Sequence, residues 1–330
     1  MILILTTEAG DQSHIEVIDW LKCFKANYII LTGESLLFGS NTIVYKDGCI
    51  FCNGVNLTKE VSVVFFRRWI TPTRIQLSED KILNDSILDN LLGELFAFRK
   101  ILENNLKDAF WIPTGEVIGV NKMSVLKLAK KVGLKTPKTL ITNSKEELLN
   151  FIAETPQGVI TKAIGNYSPV YTSQNEVLNP VYTKEVDKDF IESTCPKTFV
   201  ISLFQEKLSK LLELRVFYLL GHFYTTAIMS QQNLATSLDS REQTAENRCN
   251  LEPYKLPIDI EEKIDILLSR LKLNTGCIDL VLTPENEYVF LEVNPVGQFS
   301  GYSRRTGLNI PQHIASVLVS IDQNGYTKAD

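Results

Sequence analysis

Neither of the common glycine-rich phosphate cradles occurs in this 330-residue chain. It has no G-x-x-x-x-G-K-[ST] run and no G-x-G-x-x-G, which excludes nucleotide binding in the P-loop or Rossmann manner. Long apolar runs are missing too, none approaching the ~20 residues of a membrane span. The opening Met1-Ile2-Leu3-Ile4-Leu5-Thr6-Thr7 lacks a basic stretch and is too short for a secretory signal. The expectation is a first β-strand in a cytoplasmic protein that does not contact a membrane. Positive charge is not in excess: the net charge is −5, which leaves no electrostatic footprint for nucleic acid. The three histidines, His14, His222 and His313, share no local motif, so a Ser–His or His–metal mechanism has no support. Six cysteines are scattered rather than framed, as expected of reduced thiols. In Cys49-Ile50-Phe51-Cys52 a short strand sends the two sulfurs to opposite faces, and no second pair completes a zinc site.

What is present reads as alternating strands and helices. At 44% hydrophobic and 22% charged residues the composition is that of a globular protein, and the length suits two or three domains. Residues 1–112 read as an open α/β unit. Ile2–Thr6 is a strand, Ser13-His14-Ile15-Glu16 a capping box opening a helix, and Tyr28–Thr32 a second strand. Val44–Tyr45 and Cys49–Cys52 form a hairpin, and Val61–Phe66 is a buried strand ending in Arg67-Arg68-Trp69. Cations there stand where α/β sheets hold ligands, although two surface arginines beside a tryptophan fit equally well. A long helix follows Ser78 and Asp80. Its residues Leu83, Ile87, Leu91, Leu95, Phe98 and Leu102 recur at three- and four-residue spacing, as a core stripe. Trp111-Ile112-Pro113-Thr114-Gly115 breaks the pattern. Residues 113–195 form a second unit, with a helix from Asn121-Lys122 to Gly133, a capping box at Ser144–Glu147, and strands at Thr139–Thr142, Gly158–Lys162, Pro169–Tyr171 and Val181–Glu185. Residues 196–330 hold strands at Phe199–Glu206, Leu211–Leu220 and His222–Ser230, a polar loop at Gln231–Asn250, and helices at Pro257–Leu271 and Pro311–Val319.

The chemistry concentrates late in the chain. Asp279 and Glu292-x-Asn294 lie on two apolar runs flanking Pro284-Glu285-Asn286-Glu287, a β-hairpin. Alternation puts Glu292 and Asn294 on one face, and Asp279 on the facing strand can join them. Two carboxylates and an amide oxygen form a hard-donor set that suits magnesium; a solvated acidic strand end is the plainer reading. Without a glycine nest, phosphate charge falls to side-chain cations. Lys122 opens a helix and Lys162 closes a strand, and each alone also fits a surface lysine. Phe204-Gln205-Glu206-Lys207-Leu208 leaves a strand as a hinge whose backbone groups can read an adenine edge. Glu213 and Arg215 share a strand face, as ribose and phosphate ligands or as members of a cross-strand salt bridge.

In this order, Lys122, Lys162, Gln205–Leu208, Glu213-x-Arg215, Asp279 and Glu292-x-Asn294, the chain resembles the ATP-grasp superfamily. It is most similar to the ATP-grasp peptide maturases, the microviridin-type graspetide ligases and especially the grasp-with-spasm type. Phe65–Trp69, Val120–Lys122, Pro137–Thr142, Leu203–Glu206, Glu213–Tyr218, Pro253–Pro257 and Asn274–Gly276 carry that likeness, together with Leu291–Phe299. The resemblance implies an α+β ATP-grasp fold behind an N-terminal open α/β domain, with ATP and Mg2+ as cofactors. Lys122 and Lys162 would bind phosphates, and Gln205, Glu206, Lys207 and Leu208 would form the adenine hinge. Glu213 would hold ribose, and Asp279, Glu292 and Asn294 the magnesium. Arg215 would stabilise the transferred phosphate, and Arg241, in Asp239-Ser240-Arg241, would face an acyl phosphate. The activity implied is macrocyclisation of a ribosomally made precursor peptide, comprising leader and core: an Asp or Glu side chain is activated and then attacked by Thr, Ser or Lys. A homodimer is compatible with the resemblance. An amino-acid ligase, or a nucleotide-binding module without catalysis, would keep the same ATP residues. The segment Ser300-Gly301-Tyr302-Ser303-Arg304-Arg305-Thr306-Gly307 departs from the maturase pattern, at the acceptor side. The loop Ala163–Pro169 is poorer in glycine than the usual flap over the phosphates.

Overall fold

A computed structural model describes residues 1–10, 12–71, 77–114, 120–165, 170–171, 177–178, 183–244 and 246–326. The N-terminal unit runs β1 (Ile2–Thr6), α1 (Ser13–Cys23), β2 (Tyr28–Thr32), α2 (Gly33–Leu37), β3 (Ile43–Lys46), β4 (Cys49–Cys52), β5 (Val55–Asn56), α3 (Leu57–Glu60), β6 (Val63–Phe66), α4 (Lys81–Asn105) and β7 (Phe110–Ile112). Its parallel sheet has the order β2-β1-β6-β7. β1 and β6 are buried along their whole length, as expected of strands covered on both faces. Asp47 and Gly48, both at positive φ, close the β3–β4 hairpin, to which β5 adds a third strand.

The central segment runs α5 (Lys122–Lys131), β8 (Thr139–Ser144), α6 (Lys145–Ala153), β9 (Val159–Lys162), β10 (Val170–Tyr171), β11 (Val177–Leu178), β12 (Lys184–Glu185), α7 (Lys188–Thr194) and β13 (Thr198–Glu206). Its antiparallel sheet has the order β12-β9-β13-β8. The last segment runs β14 (Leu212–Leu219), β15 (His222–Ile228), α8 (Leu234–Ser237), β16 (Leu251–Tyr254), α9 (Ile258–Arg270), β17 (Thr275–Leu282), β18 (Tyr288–Asn294), α10 (Ser300–Thr306) and α11 (Ile310–Asn324), with the sheet β16-β15-β14-β17-β18. Alternation splits β14 cleanly. Leu214, Val216 and Tyr218 join a core with Val125, Leu126 and Ala129 of α5 and Ile260, Ile264 and Leu267 of α9. Phe217 and Leu219 on the opposite face join Ile2, Ile4, Phe65, Phe299 and Leu318 in a second core. That second core ties α11 to the N-terminal sheet, as does the ion pair of the Met1 amine with Asp322. The same face of β14, further toward its start, carries Glu213 and Arg215 and is left open.

Several expectations need correction. Ser13 is the first residue of α1, not its cap; Gln12 precedes the helix and makes no side-chain cap bond. Of the stripe on α4 only Leu95 and Leu102 are buried, while Leu83 is 48% exposed, because the first turns of the helix extend past the sheet. Residues 188–194 form a helix, α7, in a stretch between the strands expected at Val181–Glu185 and Phe199–Glu206. The stretch 231–250 holds short helical turns at Ser230–Gln232, α8 and Ser240–Glu242. The closing helix α11 is longer than expected, and α10 precedes it. Because β13 pairs with β8 and β9, we place the passage between the second and third units at residues 207–211 rather than at 195/196. Gly115, the flap residues 166–169 and the first two residues of the strand expected at Val181–Glu185 lie outside the described residues.

Candidate active site

The open face of the five-stranded sheet and the central sheet enclose a cleft of about 1090 Å³. Lys122, Lys162, Gln205, Lys207, Leu208, Glu213, Arg215, Arg241, Asp279, Glu292 and Asn294 all line it. Glu206 is the exception among the expected residues. Its carboxylate accepts the Lys138 N–H at 2.8 Å and lines a neighbouring cavity instead, so it stiffens the strand end rather than facing the cleft. Arg67 also turns away: it is buried and donates to the Val296 and Gly297 carbonyls at 3.2 and 3.0 Å. Its neighbour Arg68 does line the cleft.

A backbone irregularity brings the acidic groups together. β17 and β18 pair Leu282 with Tyr288 and Leu280 with Phe290, then shift so that Asp279 faces Glu292 and Cys277 faces Asn294. Leu291 is the extra residue of a β-bulge. Without it Glu292 would face Ile278, on the core side of the sheet, because a one-residue slip reverses every side chain. The bulge therefore moves Glu292 and Asn294 to the face that carries Asp279 and Arg215.

Among the described residues every carboxylate lining the cleft has a cationic partner. Arg215 grips Asp279 with Nη1 at 2.7 and 2.8 Å from the two carboxylate oxygens. Burial opposes the guanidinium charge, but Asp279 more than offsets it and holds Arg215 above its ordinary range. Asp279 itself is pushed up: burial leads, Glu292 adds to it, and Arg215 only partly compensates. Burial would raise Glu292 as well, yet the charges of Lys122 and Lys162 outweigh it and hold the carboxylate down. Lys122, first residue of α5 after the Asn121 cap, stands 3.3 Å from Glu292. Lys162, at the end of β9, is pushed down mainly by burial and further by Lys122.

Some working parts carried no signal in the sequence. Glu213 accepts from Lys210 Nζ at 2.8 Å, Ser230 at 2.9 Å and Ser240 at 2.7 Å. Lys210, three residues earlier, was legible as a pair; the two serines arrive through the 230–242 turns. Arg241 is clamped to Asp239, beginning with their side-chain hydrogen bonds, and sits above its ordinary range. Gln205 is buried and donates to Thr139 Oγ1 at 2.9 Å. Asn294 Oδ1 accepts the Val296 N–H at 3.1 Å, leaving one lone pair for a ligand.

No family model and no curated protein matches this chain. Solved structures do. The macrocyclase MdnC of Microcystis aeruginosa, bound with precursor peptide MdnA, superposes with a TM-score of 0.79 at 26% identity, covering 97% of this chain and 99% of that one. A RiPP-associated ATP-grasp ligase of Chryseobacterium gregarium, in complex with ADP and a leader and core peptide, gives 0.81 at 26% identity over 99% and 97%. The ATP-grasp ligase PsnB, complexed with Mg, ADP and a phosphomimetic variant of its minimal precursor, gives 0.75 at 16% over 97% of each chain. Among the described residues no helix is long and apolar enough to cross a membrane. With its site assembled between the two sheets, this chain has the ATP-grasp fold and is an ATP-dependent ligase, similar to the macrocyclases of ribosomally made peptides.

Proposed function

We propose that the protein uses ATP to cyclise a ribosomally made precursor peptide through side-chain ester or amide links. The observation that carries this reading is one cleft holding the cations, the hinge and the carboxylate pair, in a chain matching peptide-bound macrocyclases over nearly its whole length. Adenine would lie against the backbone of Gln205–Leu208 and ribose near Glu213. Lys122 and Lys162 would meet the phosphates. Asp279, Glu292 and the remaining lone pair of Asn294 fit a magnesium ion: they are hard oxygen donors, and a cation held by them would relieve the upward push that Glu292 exerts on Asp279. When bound, that ion would offset charge on the ATP phosphates.

In the reaction, an Asp or Glu oxygen of the peptide attacks the γ-phosphorus. The bond to the bridging oxygen breaks, and ADP departs with its electrons. Arg215, held rigid by Asp279, would stabilise the charge spread over the transferred group. Arg241 would face the acyl phosphate. A Thr or Ser hydroxyl or a Lys amine then adds to the acyl carbon, and the C–O bond to phosphate breaks. Every carboxylate lining the cleft is already paired: Glu185 with Lys207, Glu213 with Lys210, Asp239 with Arg241, Asp279 with Arg215 and Glu292 with Lys122. The leaving phosphate, which departs as a multiply charged oxyanion, is therefore the best-placed acceptor for the nucleophile's proton. A homodimer belongs to the same proposal; the exposed Ile82, Leu83, Phe96 and Ile101 of α4 are the surface it would cover.

Mass spectrometry of the precursor peptide encoded beside the gene, incubated with protein, ATP and magnesium, tests the reading. Loss of one water per link is expected, abolished by Glu292→Ala. A gain by whole amino-acid residues would replace the reading with an amino-acid ligase, and an unchanged peptide would overturn it.

Lys162 supplies a pH test. Its free pKa lies below the ordinary ~10.4 of lysine, and a bound phosphate favours the charged form and raises it again. In the alkaline window between the two values, nucleotide binding takes up a proton and weakens as pH rises. Calorimetry in buffers of different ionisation enthalpy should show this uptake, and Lys162→Met should remove it.

A further inference from the structure

Tyr302 stands on α10, in the segment that departs from the maturase pattern. It lines the cleft, and the Arg215 guanidinium carbon lies over its ring, 5.7 Å from the centroid, within cation–π range. Asp279 holds the same guanidinium through Nη1, and the Gln298 carbonyl accepts from Nη2 at 3.4 Å. Arg215 is thus confined by three groups, and Tyr302 is the one among them that brings a hydroxyl donor. Among the described residues the one side-chain hydrogen bond at Tyr302 is received by its backbone carbonyl, from Thr306 Oγ1 within the same helix. Its phenolic hydroxyl makes none with the described residues.

Position along the cleft says what that hydroxyl meets. The chain leaving the hinge presents Lys210 just before β14 and then, on β14, Glu213 and Arg215, with ~6.6 Å between the last two at strand rise. Glu213 is therefore nearer the adenine end, and Arg215 nearer the end where phosphate is transferred. Tyr302 adjoins Arg215. Arg68 enters at the same end, since the adjacent Arg67 is bonded to Val296 and Gly297. An anion arriving there from outside the nucleotide finds two guanidinium groups and one hydroxyl donor.

We propose that Tyr302 determines acceptor binding, its hydroxyl donating a hydrogen bond to the peptide carboxylate that attacks ATP while its ring steadies Arg215. The assignment rests on the peptide-ligase reading above. Burial keeps the phenol protonated against the pull of Arg215, so the group is a donor throughout the neutral range. The two parts of Tyr302 act on different constants. The hydroxyl contributes to holding the peptide, and the ring contributes to the geometry of the arginine that acts on transferred phosphate.

Two variants separate them. Tyr302→Phe keeps the ring and removes the donor; it should raise KM for the precursor peptide about tenfold to a hundredfold, the worth of a hydrogen bond to a charged group, with kcat within about threefold. Tyr302→Ala removes both and should also lower kcat. The dissociation constant of the non-hydrolysable ATP analogue AMPPNP, measured with magnesium, should stay within about twofold of wild type for Tyr302→Phe, because the proposed contact is to peptide. Weakened AMPPNP binding with unchanged peptide KM would move the hydroxyl to the nucleotide and overturn the assignment, as would unchanged constants throughout. Wild-type protein that leaves the precursor unaltered overturns the ligase reading itself, whereas wild-type protein that condenses it beside an indifferent Tyr302→Phe overturns only the role of Tyr302.

Discussion

Arg215→Met is expected to lower the rate of peptide-dependent ADP release by about a thousandfold, at the upper end of what loss of one preorganised charge donor costs. The argument begins with solvation. Arg215 and Asp279 are held in a desolvated part of the cleft, their side chains 15% and 30% exposed. Breaking such a pair from one side costs about 3–5 kcal/mol, because the survivor is left charged and unpaired. Asp279 bears that penalty in the variant. Its pKa is already pushed up by burial and by Glu292, and loss of Arg215 removes the main opposing influence and pushes it up further. The variant therefore loses the phosphate-facing cation and leaves an unpaired carboxylate in the cleft. Adding Asp279→Asn should recover much of the melting temperature, since the uncompensated charge is gone, and none of the turnover. An Arg215→Met protein that retains turnover within tenfold of wild type would remove Arg215 from the reaction.

The pair also shows where reading the residues alone stops. That Glu213 and Arg215 share a face follows from strand alternation, and so does the partnership of Glu292 with Asn294. The partnership of Asp279 with Glu292 does not, because it depends on the bulge at Leu291. A bulge inserts one residue against none, and nothing in Val289-Phe290-Leu291-Glu292 marks it: an unbroken apolar run has no alternation to interrupt. The choice between phosphate ligand and salt bridge for Arg215 was open for the same reason. Its partner proved to be Asp279, sixty-four residues away, a separation that only strand order decides. Helix starts fared better where a side chain does the capping, as at Asn121 and Ser144. They failed at α1, whose first turn has no such bond. Within residues 163–195 the short strands and α7 lack both a long period and an apolar stripe, so sequence periodicity had little to work on.

Gly297→Ala should be the second most damaging change, although it removes no functional group. A Cβ built on Gly297 falls 2.4 Å from Cys277 Cβ, 2.8 Å from its Sγ and 2.9 Å from Arg215 Nη2. None of the three neighbours can yield cheaply. Cys277 is 1% exposed on a central strand, and Arg215 is fastened to Asp279. Gly297 cannot retreat either, since Arg67 donates to its carbonyl and its N–H donates to Asn294. The added methyl therefore acts as a wedge between the tail of β18 and the arginine. Overpacking of this kind costs about 1–3 kcal/mol. A shift of the guanidinium by about 1 Å is enough to cost roughly a hundredfold in kcat. AMPPNP affinity should change little, because the hinge and Glu213 lie farther back along β14. Cys277→Gly in the same chain opens the space the methyl needs and should restore kcat substantially while lowering the melting temperature further, since glycine weakens a strand interior. Recovery of kcat in a less stable protein is a signature that general destabilisation cannot produce. If Gly297→Ala turns over normally, the close packing of this glycine against Arg215 is not what aligns the arginine.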